Sequence, residues 1–293
     1  MCSPQVAKVV NERIQREGLP KISRRQLLKA GGGAAAAVAV GLTVAAPVLA
    51  RPMIYGYGGV VDLSHVLSPD FPVFPAFQPA AVETLVTVAE NGFYAQQWTF
   101  GEHTGTHMDF PAHFIADGQT VDQFQVANLV GPAVVIDISS KVTADNPNTA
   151  LTVEDIEAWE TANGEIPTGA FVFMYSGWGT KLTDEGGAAY LNVAADGSLN
   201  FPGFSKEAAE FLVNERTICG VGVDTISIDV GSSSTFDVHY AILGSGRLGL
   251  EGVANLDKLL DKKAQVVCGI PKYQNGSGGP ARLLALLESE VDA

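Results

Sequence analysis

Four side chains that commonly bind metal ions lie within one segment of eleven residues. Three of the chain's five histidines and one aspartate make up this set: His103, His107, Asp109 and His113. Neutral imidazole and carboxylate are ligands that suit zinc, manganese or iron. The offsets from the first histidine are 4, 6 and 10. All are even, so an extended chain would place the four side chains on one face. The segment therefore predicts a metal site.

The glycine between the first two histidines is predicted to bend this segment. In a fully extended chain, His103 and His107 would stand roughly 13 Å apart, near the limit for two imidazoles that bind one ion. Gly105 permits a bend or bulge that would bring them closer. A helix would also align them, but Gly105 and two β-branched threonines disfavour a helix, and Pro111 closes the segment. The alternative is a loop of unrelated polar residues, which the density of ligand types disfavours.

The same segment resembles the signature of a known family. The pattern H-x-G-T-H-x-D-x-P-x-H is typical of the cyclase family of metal-dependent hydrolases, which includes kynurenine formamidases and isatin hydrolases, and residues 103–113 match every specified position. Three later stretches are similar to that family's second signature: Gly222–Asp229, a helical pattern at Phe236–Leu243 that carries His239, and Glu251–Leu256. By this resemblance, His239 and Glu251 bind the metal site from the far side of the chain.

The resemblance implies more ligands than a structural zinc site uses. The predicted metal ligands are His103, His107, Asp109, His239 and Glu251. A closed structural zinc site has four protein ligands. The five fit either one ion with supporting partners or two ions bridged by the aspartate.

Three further polar residues are assigned different roles. His113 is either another ligand or the acid and base that moves a proton, and we favour the second role, which makes it the predicted catalytic residue. Asp224 and Asp229 are interpreted as acceptors for backbone donors rather than as ligands.

The implied chemistry is hydrolysis of a small molecule. A divalent ion, zinc or manganese, with one or two ions per chain, would activate water to cleave the C–N bond of an aryl formamide or a cyclic amide. Two alternatives stay open: a lactone hydrolase of the same family, and a metal-binding protein without turnover.

Residues 1–50 are interpreted as a targeting segment rather than as part of the fold. A basic region leads through Ser23-Arg24-Arg25-Gln26-Leu27 into an Ala- and Gly-rich run from Ala30 to Leu49. This resembles a twin-arginine export signal, with cleavage predicted after Ala50 and a mature domain at 51–293. The alternative is a retained membrane anchor, but the run is weakly hydrophobic for a stable span. The prediction is a periplasmic or secreted protein that uses the twin-arginine export machinery and has no stable membrane association after cleavage.

Charge and composition narrow the partners further. The formal net charge is −14, which disfavours binding to nucleic acid or anionic lipid. Of the three cysteines, Cys2 leaves with the signal. Cys219 and Cys268 either pair or remain buried free thiols.

Alternating strand-like and helix-like segments predict the α/β class. The resemblance implies a single domain with a mixed, barrel-like sheet flanked by helices, the cyclase-like swivelling β/β/α fold, and assembly into dimers or tetramers. The local predictions are strands at Val82–Ala89 and Phe93–Phe100 joined at Asn91-Gly92, helices capped by Thr152 and Ser205, and a flexible loop at Gly276–Gly279.

Overall fold

A computed structural model describes residues 57–183 and 187–289 of the chain. Its strands are β1 Tyr57–Asp62, β2 Ala81–Val86, β3 Ala95–Thr99, β4 His107–Asp109, β5 Val130–Asp137, β6 Ala150–Leu151, β7 Ala170–Tyr175, β8 Gly203–Phe204, β9 Ile218–Val223, β10 Leu248–Glu251, β11 Ala264–Gly269, β12 Gly278–Pro280 and β13 Arg282–Glu288. Its α-helices are α1 Val88–Asn91, α2 Val153–Asn163, α3 Ala188–Leu191, α4 Lys206–Glu215 and α5 Asp237–Gly244.

Nine of the strands in these two described ranges form one mixed sheet. Its order is β1-β13-β11-β5-β7-β9-β10-β4-β12. The central strands β5, β7, β9 and β10 run parallel to their neighbours in that group, and the remaining pairs are antiparallel. Strands alternate with helices along the chain between β5 and β10, which is why the central strands can be parallel. The predicted α/β class with a mixed sheet is confirmed.

The two faces of the sheet carry separate apolar clusters. Along β7, Val172 and Met174 belong to one cluster, and Phe171 and Phe173 belong to the other. This alternation is the two-residue period of a strand buried on both faces. Gly222 on β9 has a specific role here, because a Cβ atom at that position would lie 2.5 Å from the ring of Phe173.

Local capping signals specify the starts of two helices. Thr152 and Asp155 form a capping box at the start of α2, and the Ser205 hydroxyl accepts the backbone N–H of Ala208 at the start of α4. Both caps are confirmed, as expected for interactions that depend on neighbours within one turn.

The predicted pair of strands around Asn91-Gly92 is confirmed, because β2 and β3 form a two-stranded sheet, but the predicted tight turn between them is wrong. The strands are shorter than predicted, and the one-turn helix α1 lies between them. Thr87 caps the start of α1, and Gly92 ends it with a φ of 79°. The left-handed conformation that favours Asn-Gly in a hairpin turn also favours Gly at a helix C-terminus.

The predicted flexible loop at Gly276–Gly279 is also wrong. Gly278–Pro280 form β12, which pairs antiparallel with β4, the strand that carries His107 and Asp109. The glycines are needed for close approach, since a Cβ atom at Gly278 would lie 2.5 Å from the Met108 carbonyl oxygen. A stretch with the composition of a loop therefore forms a strand that supports the predicted site.

The two cysteines of the mature chain are free in this structure. Burial raises the pKa of both the Cys219 and the Cys268 thiol. Within the described residues, no helix has the length and apolar character that crossing a membrane requires.

Candidate metal centre

The first ligand segment is folded rather than extended. Gly105 adopts a φ of 72°, only His107–Asp109 form a strand, and Pro111–His113 form a 3₁₀ turn. The predicted bend at Gly105 is confirmed, whereas the prediction of one extended face is wrong. The bend and the turn fold the ends of the segment together, so the rings of His103 and His113 stack with their centroids 3.6 Å apart.

The second ligand segment meets the first through the sheet and one helix. Glu251, at the end of β10, lies opposite His107 in the antiparallel pairing of β10 with β4. His239 lies in the first turn of α5, and this turn is held by Asp229, which accepts the backbone N–H groups of Val238 and His239. Residues more than a hundred positions apart are thereby brought together.

Four buried side chains form what we call the inner cluster: His107, Asp109, His239 and Glu251. His107 Nε2 lies 3.4 Å from Asp109 Oδ1 and 3.3 Å from Glu251 Oε2. His239 Nε2 lies 3.5 Å from Asp109 Oδ2 and 3.2 Å from Glu251 Oε1. Each imidazole thus directs its Nε2 atom toward the carboxylates of Asp109 and Glu251.

The outer nitrogens of these imidazoles are held by acceptors. His107 Nδ1 lies 2.9 Å from the Gly105 carbonyl oxygen, and His239 Nδ1 lies 2.6 Å from Asp229 Oδ2. A carbonyl or an ionised carboxylate only accepts, so each Nδ1 carries a proton. In the neutral ring, Nε2 then presents a lone pair to the carboxylates, which is the orientation that a metal-binding histidine requires.

The inner cluster fits a divalent metal ion. His107 Nε2 and Asp109 Oδ2 are buried and have no hydrogen-bond partner among the described residues. Ligands about 2.0–2.1 Å from a tetrahedral ion lie roughly 3.4 Å from one another. The separations of 3.2–3.5 Å in the cluster agree with that value. Imidazole and carboxylate donors together are suited to zinc and to manganese.

Without an ion, protons would balance the buried carboxylates. Burial opposes charge on His107, but the adjacent carboxylates of Asp109 and Glu251 outweigh it and raise the pKa of this imidazole to about 10. Burial likewise opposes charge on Asp109, but the three adjacent imidazoles of His103, His107 and His239 hold its pKa well below the usual value. The pKa of His239 is raised well above its usual value by the same carboxylates, against the effect of burial.

His103 and His113 lie beside the inner cluster. His103 Nδ1 is 2.6 Å from Asp109 Oδ1, and its Nε2 is 3.0 Å from the hydroxyl of Ser277. Potential ligand atoms of His103, Asp109 and His113 lie within 4.8 Å of one another, as do those of His107, Asp109 and Glu251. Asp109 is common to both sets, so the geometry accommodates either one ion or two.

The imidazole of His113 differs from that of His107. Burial, together with the neighbouring imidazoles of His103 and His239, lowers the pKa of His113 to about 4, against the attraction of Asp109 and Glu251. The ring is therefore neutral near pH 7. A neutral ring accepts a proton or binds a metal ion, so the structure is compatible with both roles considered for this residue.

A chamber of about 190 Å³ opens over the histidines. Four phenylalanines line it, and we call them the aromatic wall: Phe74, Phe77, Phe114 and Phe236. The Phe114 ring packs 4.4 Å from the ring of His239, and Phe77 stacks 5.7 Å from the ring of His103. The chamber therefore has a polar floor and apolar aromatic sides, which is typical of small-molecule sites.

Sequence reasoning did not identify several of these contributions. Asp224 and Asp229 accept backbone N–H groups as interpreted, but Asp229 also orients His239. The only hint of this contact in the sequence was that Asp229 precedes His239 by ten residues. Neither the aromatic wall nor Ser277 had a local signal, because their positions depend on contacts between distant segments.

Comparisons with known proteins identify the family of this chain. A family model described as "Putative cyclase" matches residues 61–230. An isatin hydrolase from Roseibium aggregatum is 35% identical over 257 residues, covering 82% of this chain and 95% of the relative. A kynurenine formamidase from Salinibacter ruber is 25% identical over 227 residues, covering 76% of this chain and 95% of the relative.

A solved structure supports the fold assignment. The structure of isatin hydrolase A from Ralstonia solanacearum superimposes with a TM-score of 0.72 at 38% identity, covering 78% of this chain and 91% of that chain. The single α/β domain is therefore confirmed.

The N-terminal segment matches as well. Residues 21–41 match a twin-arginine translocation signal sequence, which indicates export across the membrane to the periplasm or beyond. The predicted cleavage point after Ala50 lies outside the described residues and stays a prediction. Both signatures, the family model and the relatives agree, and the chain belongs to the cyclase family.

Proposed function

We propose that this protein is an exported, metal-dependent hydrolase that cleaves the C–N bond of a small aromatic amide. The observation that carries the proposal is the pair of buried, unpartnered atoms His107 Nε2 and Asp109 Oδ2, at the floor of a chamber with aromatic sides. The kinship with isatin hydrolases and kynurenine formamidases supports the amide as the reacting group.

The inner cluster would hold the ion, and His103 would complete or adjoin its coordination. Zinc and manganese are the proposed metals. When bound, a divalent ion supplies Lewis acidity that polarises the substrate carbonyl and makes water a stronger acid. The protein's part is to fix the donors: the Gly105 carbonyl and Asp229 set the orientation of His107 and His239.

His113 is the proposed proton carrier. It lines the chamber, and its neutral ring near pH 7 can accept the proton that water loses as it attacks the carbonyl carbon. The protonated ring then returns that proton to the amide nitrogen as the C–N bond breaks. One proton moves from water to nitrogen through His113, and the products are an amine and a carboxylic acid, which releases its remaining proton to solvent near pH 7 and becomes a carboxylate. In a cyclic amide both groups stay on one molecule.

The aromatic wall favours a flat ring as the substrate's non-reacting part. Aromatic side chains bind flat apolar rings by stacking and edge contacts, each worth about 0.5–1.5 kcal/mol beyond burial. A cyclic aryl amide such as isatin is the first candidate, because the isatin hydrolase shares more identity with this chain than the formamidase does. N-Formylkynurenine is the second candidate, and export away from intracellular tryptophan breakdown disfavours it.

The test uses the mature protein and its metal together. The domain at 51–293 would be purified, its metal measured by elemental analysis, and its activity assayed on isatin, N-formylkynurenine and a set of small lactones, with and without chelator. Chelator-sensitive hydrolysis with one or two equivalents of zinc or manganese supports the proposal. Failure to hold metal after reconstitution would falsify it. A preference for lactones would mean that the reacting group of the substrate is a cyclic ester rather than an amide. Bound metal without hydrolysis of any tested substrate would favour the alternative of a metal-binding protein.

We also propose the length and the oligomeric state of the exported form. Cleavage after Ala50 leaves residues 51–293 as the working domain, and we expect a dimer or tetramer. Mass spectrometry of the exported protein and light scattering would determine both.

A further inference from the structure

We propose that Glu102 and Ser277 form a clamp that positions His103 for the reaction. Neither residue belongs to the ligand set described above, and both lie outside the specified positions of the two family signatures. The inference deepens the proposed function, since it assigns positioning residues to the same site. We call this pair, with its hydrogen bonds to His103, the serine clamp.

The serine clamp is a chain of short hydrogen bonds. The Ser277 hydroxyl oxygen lies 2.6 Å from Glu102 Oε2 and 3.0 Å from His103 Nε2. The Ser277 backbone N–H donates to the same carboxylate oxygen of Glu102 at 3.2 Å. On its other side, His103 Nδ1 is 2.6 Å from Asp109 Oδ1. One imidazole thus connects the clamp to the inner cluster.

The number of available protons fixes the direction of these bonds. A hydroxyl has one proton to donate, and an ionised carboxylate can only accept. The Ser277 proton therefore goes to Glu102, and the hydroxyl oxygen accepts from His103 Nε2–H. This assignment leaves His103 Nδ1 as the nitrogen that faces Asp109 and the metal site. Held in this way, the ring keeps one orientation, as expected for partners that support a metal-site histidine.

The backbone holds the serine in place. The Phe110 N–H donates to the Ser277 carbonyl oxygen at 2.9 Å, and β12 begins at the next residue, opposite Asp109. A Cβ atom at Gly278 would lie 2.6 Å from Cε1 of His103, so the glycine lets this strand approach the imidazole ring. The clamp therefore joins the first ligand segment to Ser277 and the start of β12.

The position of His103 matters for the reaction because His113 rests on it. The two rings stack with an interplanar angle of 20° and a centroid separation of 3.6 Å. Rotation of His103 would displace the proposed proton carrier and disturb Asp109 at the same time. Loss of the clamp should therefore lower kcat and leave the aromatic wall, and with it KM, largely unchanged.

The first test is kinetic and uses Ser277→Ala and Glu102→Ala. Each is expected to lower kcat by roughly 10–100-fold, with KM changed less than about threefold and metal content retained. Glu102→Asp, which keeps the carboxylate, should recover part of the rate. The matched control is Asp122→Asn, because Asp122 accepts the Asn275 N–H in the same loop but is not part of the hydrogen-bonded chain that reaches His103. The control should keep wild-type kcat.

The second test does not depend on activity. In protein labelled with ¹⁵N-histidine, the Nε2–H proton of His103 should give a slowly exchanging signal, assigned by its loss in His103→Gln. We expect this signal in the wild type and in Asp122→Asn, and its loss in Ser277→Ala and Glu102→Ala. If the wild type hydrolyses nothing, this signal alone still tests the clamp. An unchanged signal in both clamp variants, or an equal fall in kcat in Asp122→Asn, would overturn the proposal.

Discussion

His107 and His113 come from the same short segment, yet their environments shift their pKa values in opposite directions. The pKa of His107 is raised to about 10, and that of His113 is lowered to about 4. Burial lowers both values. The difference is that His107 contacts both buried carboxylates of the inner cluster, whereas His113 lies against other imidazoles and the ring of Phe114.

One site therefore contains two kinds of environment for its histidines. The inner cluster concentrates negative charge and is suited to a cation. The outer part, with His113 and the aromatic wall, keeps an imidazole neutral and offers apolar surface to a substrate. Groups whose pKa values are separated by their environments commonly divide the work of catalysis between them. Five variants or conditions should test this division.

Removing the shared carboxylate should have the largest effect. Asp109 contacts three histidines, so Asp109→Asn removes negative charge at the centre of the inner cluster. We expect loss of bound metal and a fall in kcat/KM of at least about 10³-fold, measured by elemental analysis and steady-state assay. Asp196→Asn, at an exposed turn, is the matched control. If Asp109→Asn kept its metal and its rate, the inner cluster would not be the cation site that we propose.

Removing the partner of His239 should weaken metal binding without abolishing it. Asp229→Ala leaves His239 Nδ1 without its acceptor, so the ring loses its fixed orientation. Metal affinity, measured by competition with a chromophoric chelator, should fall by roughly 10–100-fold. Ser233→Ala is the control, because Ser233 contacts Asp229 but not the ring. Equal affinity in the wild type and Asp229→Ala would show that helix α5 alone orients His239.

Metal binding should depend on pH through the inner cluster and not through His113. Below a pKa of about 10, the metal-free His107 carries a proton that an ion must displace. Affinity should therefore rise between pH 6 and pH 9, by up to about tenfold per pH unit for each proton released. Calorimetry in buffers of different ionisation enthalpy counts those protons at pH 7. Binding without proton release would contradict the assigned charge state of the cluster.

The same pKa shift predicts how the stability of metal-free protein varies with pH. A histidine whose folded-state pKa is raised stabilises the fold fully below its unfolded pKa, near 6.5, and this stabilisation is lost as pH rises toward about 10. The melting temperature of chelated protein should fall over that interval. Metal-loaded protein, in which the ion replaces the proton, should show a smaller change.

Altering the aromatic wall should have the smallest effect and should change substrate binding alone. Phe74 lines the chamber and packs edge-on against Phe236, 6.2 Å away. Phe74→Leu should raise KM for an aryl amide by about 3–10-fold with little change in kcat or metal content. Phe211→Leu is the matched control, because Phe211 packs against a core cluster and is not one of the residues that line the chamber. A fall in kcat with constant KM would show that the wall also positions the reacting group.

The parts of the molecule that sequence reasoning predicted are those with local causes. The caps at Thr152 and Ser205 act within one helical turn, and the bend at Gly105 follows from the steric freedom of glycine. The resemblance pointed to the four residues of the inner cluster, and the structure brings them together, while their role as metal ligands stays a prediction. The two aspartates were also correctly read as backbone acceptors.

The parts that sequence reasoning missed depend on distant partners. Asn91-Gly92 suits both a hairpin turn and a helix end, and only the cap at Thr87 decides between them. Gly276–Gly279 has the composition of a loop, but its glycines are required by contacts with Met108 and His103. The stacking of His103 on His113 requires the folded turn at Pro111, which no periodicity in the sequence indicates.

The pairing of β12 with β4 also sets an order of events in synthesis. Strand β4 is made before Glu251 and before β12. A nascent chain that ends before residue 251 has His107 and Asp109 but lacks the opposing carboxylate. The twin-arginine signal indicates export, and assembly of this centre requires synthesis of the chain at least through β12. At the proposed metal site, an ion would therefore meet its full set of ligands only after these distant segments have been made and folded together.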